Sequence, residues 1–297
     1  MNSHGVAALC AGVAPATFWS TQLLLAIGLN AFLNAVLIGA YAARLAGVMT
    51  GRVGTSISLF NLFVTISRFA NLFYAPMLGT ISDRAEKLTA CVPAASAAAA
   101  QQFELQMRAI VLAASVGTLI GALLLPTFAY VFVRGVGAFE RRGSIPRSLA
   151  RLADPRVLGD IVRTLRFPPL DTFVRFRLRD VPAKLLIGNV IVTGIYAVGV
   201  VAAYLASVLR PEVARTALSA SGLVNGIATI AFALVVDPTS AYIVDQAVKG
   251  ERTQHDVKTM VVYLGATAVV GTLASQLILV PAAMFIGGAA HLINAPR

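Results

Sequence analysis

The stretch "LFNLFVTISRFANLFYAPMLG", Leu59 to Gly79, is long and apolar enough to cross a bilayer, yet it carries Arg68 near its middle and two asparagines, Asn61 and Asn71. Crossing roughly 30 Å of hydrocarbon as a helix takes about 20 predominantly apolar residues. A charge inside such a run has to be explained. The rest of the chain says that lipid is indeed the solvent. Of 297 residues, 58% are hydrophobic and 12% charged, and the mean hydropathy is +0.79. One water-soluble core cannot hide that much apolar surface.

Six runs reach spanning length, at residues 16–43, 53–78, 109–133, 181–208, 216–236 and 260–289. They are too long and too uniformly apolar for barrel strands, which alternate and run for about 10 residues. The expected fold is therefore all-α, a polytopic membrane helical bundle of about six transmembrane helices forming a single integral membrane domain. Pro281 predicts a kink or tilt in the last span. The first run has no Lys or Arg before Arg44, unlike the basic start of a cleaved signal peptide, and reads as a retained span.

The net charge of +11 resides between the apolar runs, where the positive-inside rule accounts for it without nucleic acid. Seventeen Lys and Arg fall on the side of the loops after spans one, three and five, against six on the other. The first side is expected in the cytoplasm and both termini outside. Arg44 and Arg52 are assigned to the short turn between the first two spans. The basic loop from Arg134 to Lys184 contains "DPRVLGDIVRTLRFPP", Asp154 to Pro169, which reads either as a solvated connector or as an interfacial amphipathic helix gathering anionic membrane lipids. The alanine-rich segment 90–102 reads as an external linker or frayed helix.

Ser58, Asn61, Thr65 and Arg68 follow i, i+3, i+7 and i+10 spacing and share one helical face, with Asn71 at its edge. A central arginine costs about 2.5–3.5 kcal/mol to insert, so that face must turn away from lipid. The acids near span ends, Glu104, Asp180, Asp237 and Asp245, do not match the depth of Arg68. An unpaired guanidinium is what an anionic substrate would need, and this is preferred to a structural role for Arg68. Asn189, Thr193 and Tyr196 share a face of the fourth span, and Ser221, Asn225 and Thr229 one of the fifth. Each set reads as interhelical hydrogen-bond glue or as path lining, with glue favoured for any single residue. Gly117 with Gly121, and Gly222 with Gly226, are small-xxx-small pairs suited to close helix packing.

No nucleotide-binding loop, H-E-x-x-H or G-x-S-x-G occurs, so neither catalysis nor a cofactor is implied. The three histidines form no metal site by sequence. Cys10 and Cys91 lie far apart, which argues against a metal or redox pair and leaves a lone disulfide without support.

The segment Arg44 to Gly79, "RLAGVMTGRVGTSISLFNLFVTISRFANLFYAPMLG", resembles the signature of the Amj family, bacterial lipid II flippases that serve as alternates to MurJ. Similar likeness extends over Leu112–Phe128, Asp180–Ala206 and Ala220–Glu251. The chain departs from the pattern at Phe69, where a small polar residue is expected. The resemblance implies a transporter, not an enzyme, that turns undecaprenyl-pyrophosphate-linked disaccharide pentapeptide from the inner to the outer face of the bacterial cytoplasmic membrane. It assigns no individual residues. On physical grounds the expected substrate contacts are Arg68, Asn61, Asn71, Arg44, Arg52 and Asn225, with Arg44 and Arg52 reading equally as topology determinants. A homodimer forming the path is a further expectation. The competing classes are a transporter of another polyprenyl-linked glycan or anion, and a membrane accessory protein that moves nothing.

Overall fold

A computed structural model describes residues 17–142 and 181–295, together with Gly159, Arg163 and Leu165. Among these residues the chain is helical throughout. The helices are α1 (Thr21–Thr50), α2 (Val53–Cys91), α3 (Ser96–Leu123), α4 (Leu125–Arg142), α5 (Ala183–Leu209), α6 (Ala214–Ser219), α7 (Ser221–Ala231), α8 (Asp237–Val248) and α9 (Gln254–Asn294). Five stretches are long and apolar enough to cross a membrane: α1, α3, α5, the composite Pro211–Val248 and α9. The second expected span, 53–78, lies in α2, one continuous helix of 39 residues. This is the polytopic helical bundle that the apolar runs predict.

The ends of the helices follow from local chemistry. Ser20 caps α1, its Oγ accepting from the Leu23 N–H at 3.2 Å. Gly51, at φ 68°, stops it. The Gly51 and Arg52 N–H groups donate back to the carbonyls of Val48 and Gly47, closing the last turn in a conformation that favours glycine. Thr253 and Asp256 form a reciprocal capping box at the start of α9.

Four segments differ from expectation. The first span runs on past residue 43 to Thr50, which moves Arg44 out of the turn and into α1, while Arg52 stands in the turn as the residue before α2. The alanine-rich stretch, expected as an external linker or a frayed helix, is helical on both sides of a short turn: α2 continues to Cys91, a 3-10 turn covers Pro93–Ala95, and Ser96 opens α3. The third expected span straddles a break at Leu124, just ahead of Pro126, between α3 and α4. The fifth span is likewise composite. It is interrupted at Ala220 and contains a π-helical turn, Phe232–Val236. The expected interfacial helix at 154–169 falls outside the described residues apart from Gly159 and Arg163, both helical and exposed, and Leu165.

Packing fixes the directions. Gly117 and Gly121 of α3 press against Ala31 and Ala35 of α1, and Phe128 of α4 approaches Gly39, so α3 and α4 together run parallel to α1. Asn189 meets α9 at Leu264 and Gly194 meets it at Gly271, so α5 and α9 are parallel. Tyr196 and Gly199 meet Thr229 and Asn225, so α7 runs against α5. Successive spans therefore alternate, which brings Phe18 and Asn294 to one end of the bundle and Gly51 to the other.

Each end has its own apolar core. At the Gly51 end Tyr41, Leu59, Phe132, Leu185, Ile243 and Met260 pack together. At the Asn294 end the core includes Leu23, Leu78, Phe103, Met107, Leu205 and Ile286. The two are joined by a waist of small residues. At Gly117, Gly121 and Gly271 an added Cβ would strike the backbone of the facing helix. The Gly117 and Gly121 pair thus packs as expected. Gly222 and Gly226 do not, since a Cβ at either would meet open space.

Candidate functional site

Polar side chains gather in three groups. At the Gly51 end, Arg44 is buried in α1 and its Nη2 lies 2.5 Å from Asp237 Oδ1, at the start of α8. One turn earlier on α1, the Tyr41 hydroxyl donates to Asn189 Oδ1 at 2.7 Å. Asn189, fully buried, in turn donates from Nδ2 to the Leu264 carbonyl and to Thr267 Oγ1, both at 2.9 Å. Four elements, α1, α5, α8 and α9, are thus tied together by charge and amide chemistry inside the apolar core. In low-dielectric surroundings such bonds hold only where the partners are fixed.

Toward the Asn294 end, Arg108 of α3, flanked by the core residues Met107 and Ile110, forms a clamp. Its Nε donates to Glu104 Oε1 at 2.9 Å and its Nη1 to the Gln276 carbonyl at 2.9 Å, while Gln276 Nε2 donates back to the Arg108 carbonyl at 2.9 Å. The sequence reading placed Arg108 outside the third span and left Gln276 ambiguous. The structure places both within long helices, the charge neutralised by Glu104 one turn away. Also toward the Asn294 end, Asn225 of α7 packs over Gly199, with its Oδ1 buried and without a hydrogen-bond partner among the described residues.

The third group is the stripe on α2. Ser58, Asn61 and Thr65 are all exposed, and Thr65 Oγ1 satisfies itself by donating to the Asn61 carbonyl at 2.9 Å. The stripe therefore lies on the outside of the single chain. Helix α2 continues unbroken through Arg68 and Asn71, whose side chains fall outside the described ones. Its backbone carries Arg68 from Leu59, in the core of the Gly51 end, toward Leu78, in the other core, and so past the waist between them.

The four expected contacts whose side chains are described are not gathered in one pocket. Arg44 lies at the Gly51 end and Arg52 is exposed nearby in the turn; Asn61 is on the outside of α2; Asn225 faces α5. Of the residues read as glue or lining, Asn189 and the Tyr196–Thr229 pair bond between helices, the latter at 2.8 Å. Sequence reasoning missed the Arg44–Asp237 pair and the Arg108 clamp. The clamp did have a signal, a Glu and an Arg four residues apart on a helical pattern.

An apolar groove of about 290 Å³ opens beside the break between α3 and α4, lined by Leu45, Leu119, Leu123, Pro126 and Val262 among others, with Lys258 on its wall. Among the described residues no group of His, Cys, Asp or Glu is placed to hold a metal ion. Cys91, for which the sequence leaves a lone disulfide possible but without support, is disulfide-bonded at the end of α2.

The family model described as "Alternate to MurJ", Amj, matches residues 29–290, from the first helix to the last. The chain belongs to the Amj family. A relative from Bacillus subtilis (strain 168), named "Lipid II flippase Amj", is 33% identical over 268 residues, covering 90% of this chain and 96% of the relative. No solved structure matches the chain significantly. The family match includes every polar group described above, so the Arg44 pair, the Arg108 clamp and the α2 stripe all belong to the family's core region and not to an appended segment.

Proposed function

We propose that this protein is a lipid II flippase of the bacterial cytoplasmic membrane, moving the polyprenyl-pyrophosphate-linked precursor of peptidoglycan from the inner to the outer leaflet. The observation that carries this reading is the alignment of 90% of the chain with a relative named for that activity. The physical problem of the reaction is the pyrophosphate, whose hydration must be replaced on the way through hydrocarbon. Guanidinium and amide donors can replace it through charge-assisted hydrogen bonds. On this reading Arg68 is the central contact, Asn61, Asn71 and Asn225 supply further donors, and Arg44 and Arg52 receive the headgroup at the cytoplasmic mouth.

The Gly51 end is cytoplasmic and the Asn294 end faces outward. Two features support this orientation: the excess of Lys and Arg on the Gly51 side, and the disulfide at Cys91 on the other, since disulfides persist in oxidising compartments. The exposed stripe on α2 suits a headgroup sliding along a lateral groove while its prenyl chain stays in lipid. It equally suits a homodimer in which two α2 helices flank the path. The work is transport and not catalysis. An inside-negative membrane potential assists it, contributing about 2.3 kcal/mol per charge moved outward per 100 mV.

In a strain that depends on this protein for lipid II export, Arg68→Ala should abolish growth while the protein remains inserted and folded. Normal growth would remove Arg68 as the substrate contact. Arg68→Lys then separates a need for charge from a need for two-pronged geometry.

A further inference from the structure

The Arg44–Asp237 pair is lopsided. The Arg44 side chain is 11% exposed and that of Asp237 is 55% exposed, so the cation is locked in the core while the anion stands at its edge. Only one nitrogen of the guanidinium is engaged by the carboxylate. Nη1 is buried and has no hydrogen-bond partner among the described residues. Asp237 itself follows directly on the π-helical turn Phe232–Val236 and precedes Pro238. A π-turn and a proline both leave the helical ladder incomplete, and such places are where a helix can shift.

Swinging Asp237 outward costs that carboxylate little, because it is already half solvated. It would strand Arg44, which cannot lose its proton and would be left as an uncompensated buried charge. Whatever replaces Asp237 must therefore be an anion. To do better than Asp237 it must also offer acceptors to both Nη1 and Nη2, as a phosphate or pyrophosphate does in a forked contact.

We infer that Arg44 is an exchange site for a pyrophosphate-bearing lipid headgroup, in which Asp237 is the resident counterion that the headgroup displaces. The inference rests on the flippase reading and deepens it. One anion replaces another on a fixed cation, so Arg44 is never left in the core without a counterion. Asp237 is thereby a positioning residue: it keeps Arg44 inserted and folded when empty, and it weakens binding enough for the headgroup to leave again.

The test uses the purified full chain in lipid nanodiscs, titrated with farnesyl pyrophosphate. Asp237→Asn, which removes the competitor, should bind the probe at least about fivefold more tightly, within the ordinary range for coupled sites. Arg44→Gln with Asp237→Asn is a neutral pair that keeps the core free of a lone charge; it should fold and lose this binding. Unchanged or weaker binding by a normally melting Asp237→Asn protein overturns the exchange, as does wild-type affinity in the double variant. Should Asp237→Asn fail to fold, Asp237→Ser with added acetate serves instead, and probe affinity that does not fall as acetate rises overturns the exchange too. Lipid II translocation by the wild type in proteoliposomes is measured alongside. If it is absent, the flippase reading fails; if it is present and the probe affinities do not move, only the exchange does.

Discussion

Asn189 offers the sharpest test of whether polar side chains here hold helices together or line a path. It is fully buried on α5 and makes three bonds: it accepts from Tyr41 of α1 and donates to the Leu264 carbonyl and Thr267 of α9. Asn189→Leu keeps the branched side-chain shape and removes all three. Interhelical hydrogen bonds within membranes average about 0.6 kcal/mol and reach about 1.7. The Leu264 carbonyl and the Thr267 hydroxyl retain bonds within α9, Thr267 to the Tyr263 carbonyl at 2.8 Å, so their loss is mild. The Tyr41 hydroxyl is left buried without its acceptor, at a cost of about 1–3 kcal/mol. The total is about 3 kcal/mol. Tyr41→Phe alone should cost about 1 kcal/mol, because it strands the amide oxygen instead. Made on top of Asn189→Leu, however, it should recover about 1 kcal/mol by removing the stranded hydroxyl. That reversal of sign is measurable by reversible denaturation with SDS in mixed micelles, followed by circular dichroism. Additive effects of the two substitutions would refute the network. Loss of lipid II translocation with unchanged stability would show Asn189 to be lining and not glue.

Gly117→Ala should destabilise the bundle by about 1–3 kcal/mol, since the added Cβ meets the Ala31 backbone, while Gly222→Ala, which meets nothing, should be neutral or slightly stabilising; thermal melting in detergent compares them. Arg108→Leu should leave Glu104 without its partner between helices and lower the melting temperature, and adding Glu104→Leu should restore most of the loss, since two apolar residues need no pairing in lipid. A double variant no more stable than Arg108→Leu would refute that account of the clamp.

Much of the fold was legible because lipid asks one simple thing of a span, a long apolar run. The fourth run, 181–208, became Ala183–Leu209, and the last, 260–289, sits inside Gln254–Asn294. The backbone breaks at Leu124 and Ala220 were not legible, because a kinked or composite helix is as apolar as a straight one. The extension of α2 to Cys91 escaped for the opposite reason. Past Leu78 that helix carries Asp83, Arg84, Glu86 and Lys87, and is held by packing and by Ser82, Glu86 and Ser207, whose side chains hydrogen-bond across α2 and α5. Among the site residues, the stripe of Ser58, Asn61 and Thr65 was legible from spacing, but not that it faces outward in the single chain.

Two charges were misplaced in the sequence reading, and both for one physical reason. Read by hydropathy alone, the first span ends before Arg44 and the third begins after Arg108, because an arginine raises the cost of insertion. Each lies inside its helix because a carboxylate cancels it: Glu104 from the next turn, Asp237 from 193 residues away. The nearer partner leaves an i, i+4 trace in the sequence; the distant one leaves none until the helices pack. Hydropathy therefore tells what the lipid meets, and neutralised pairs vanish from it. The sequence did carry one local sign that α1 continued, Gly51 six residues beyond Leu45, a left-handed stop placed where the helix does end. A glycine cap is set by backbone geometry and not by the membrane. For charged residues near the end of a span, it is thus the better guide to whether the charge stands in the turn or inside the core, and inside the core is where Arg44 is able to trade one anion for another.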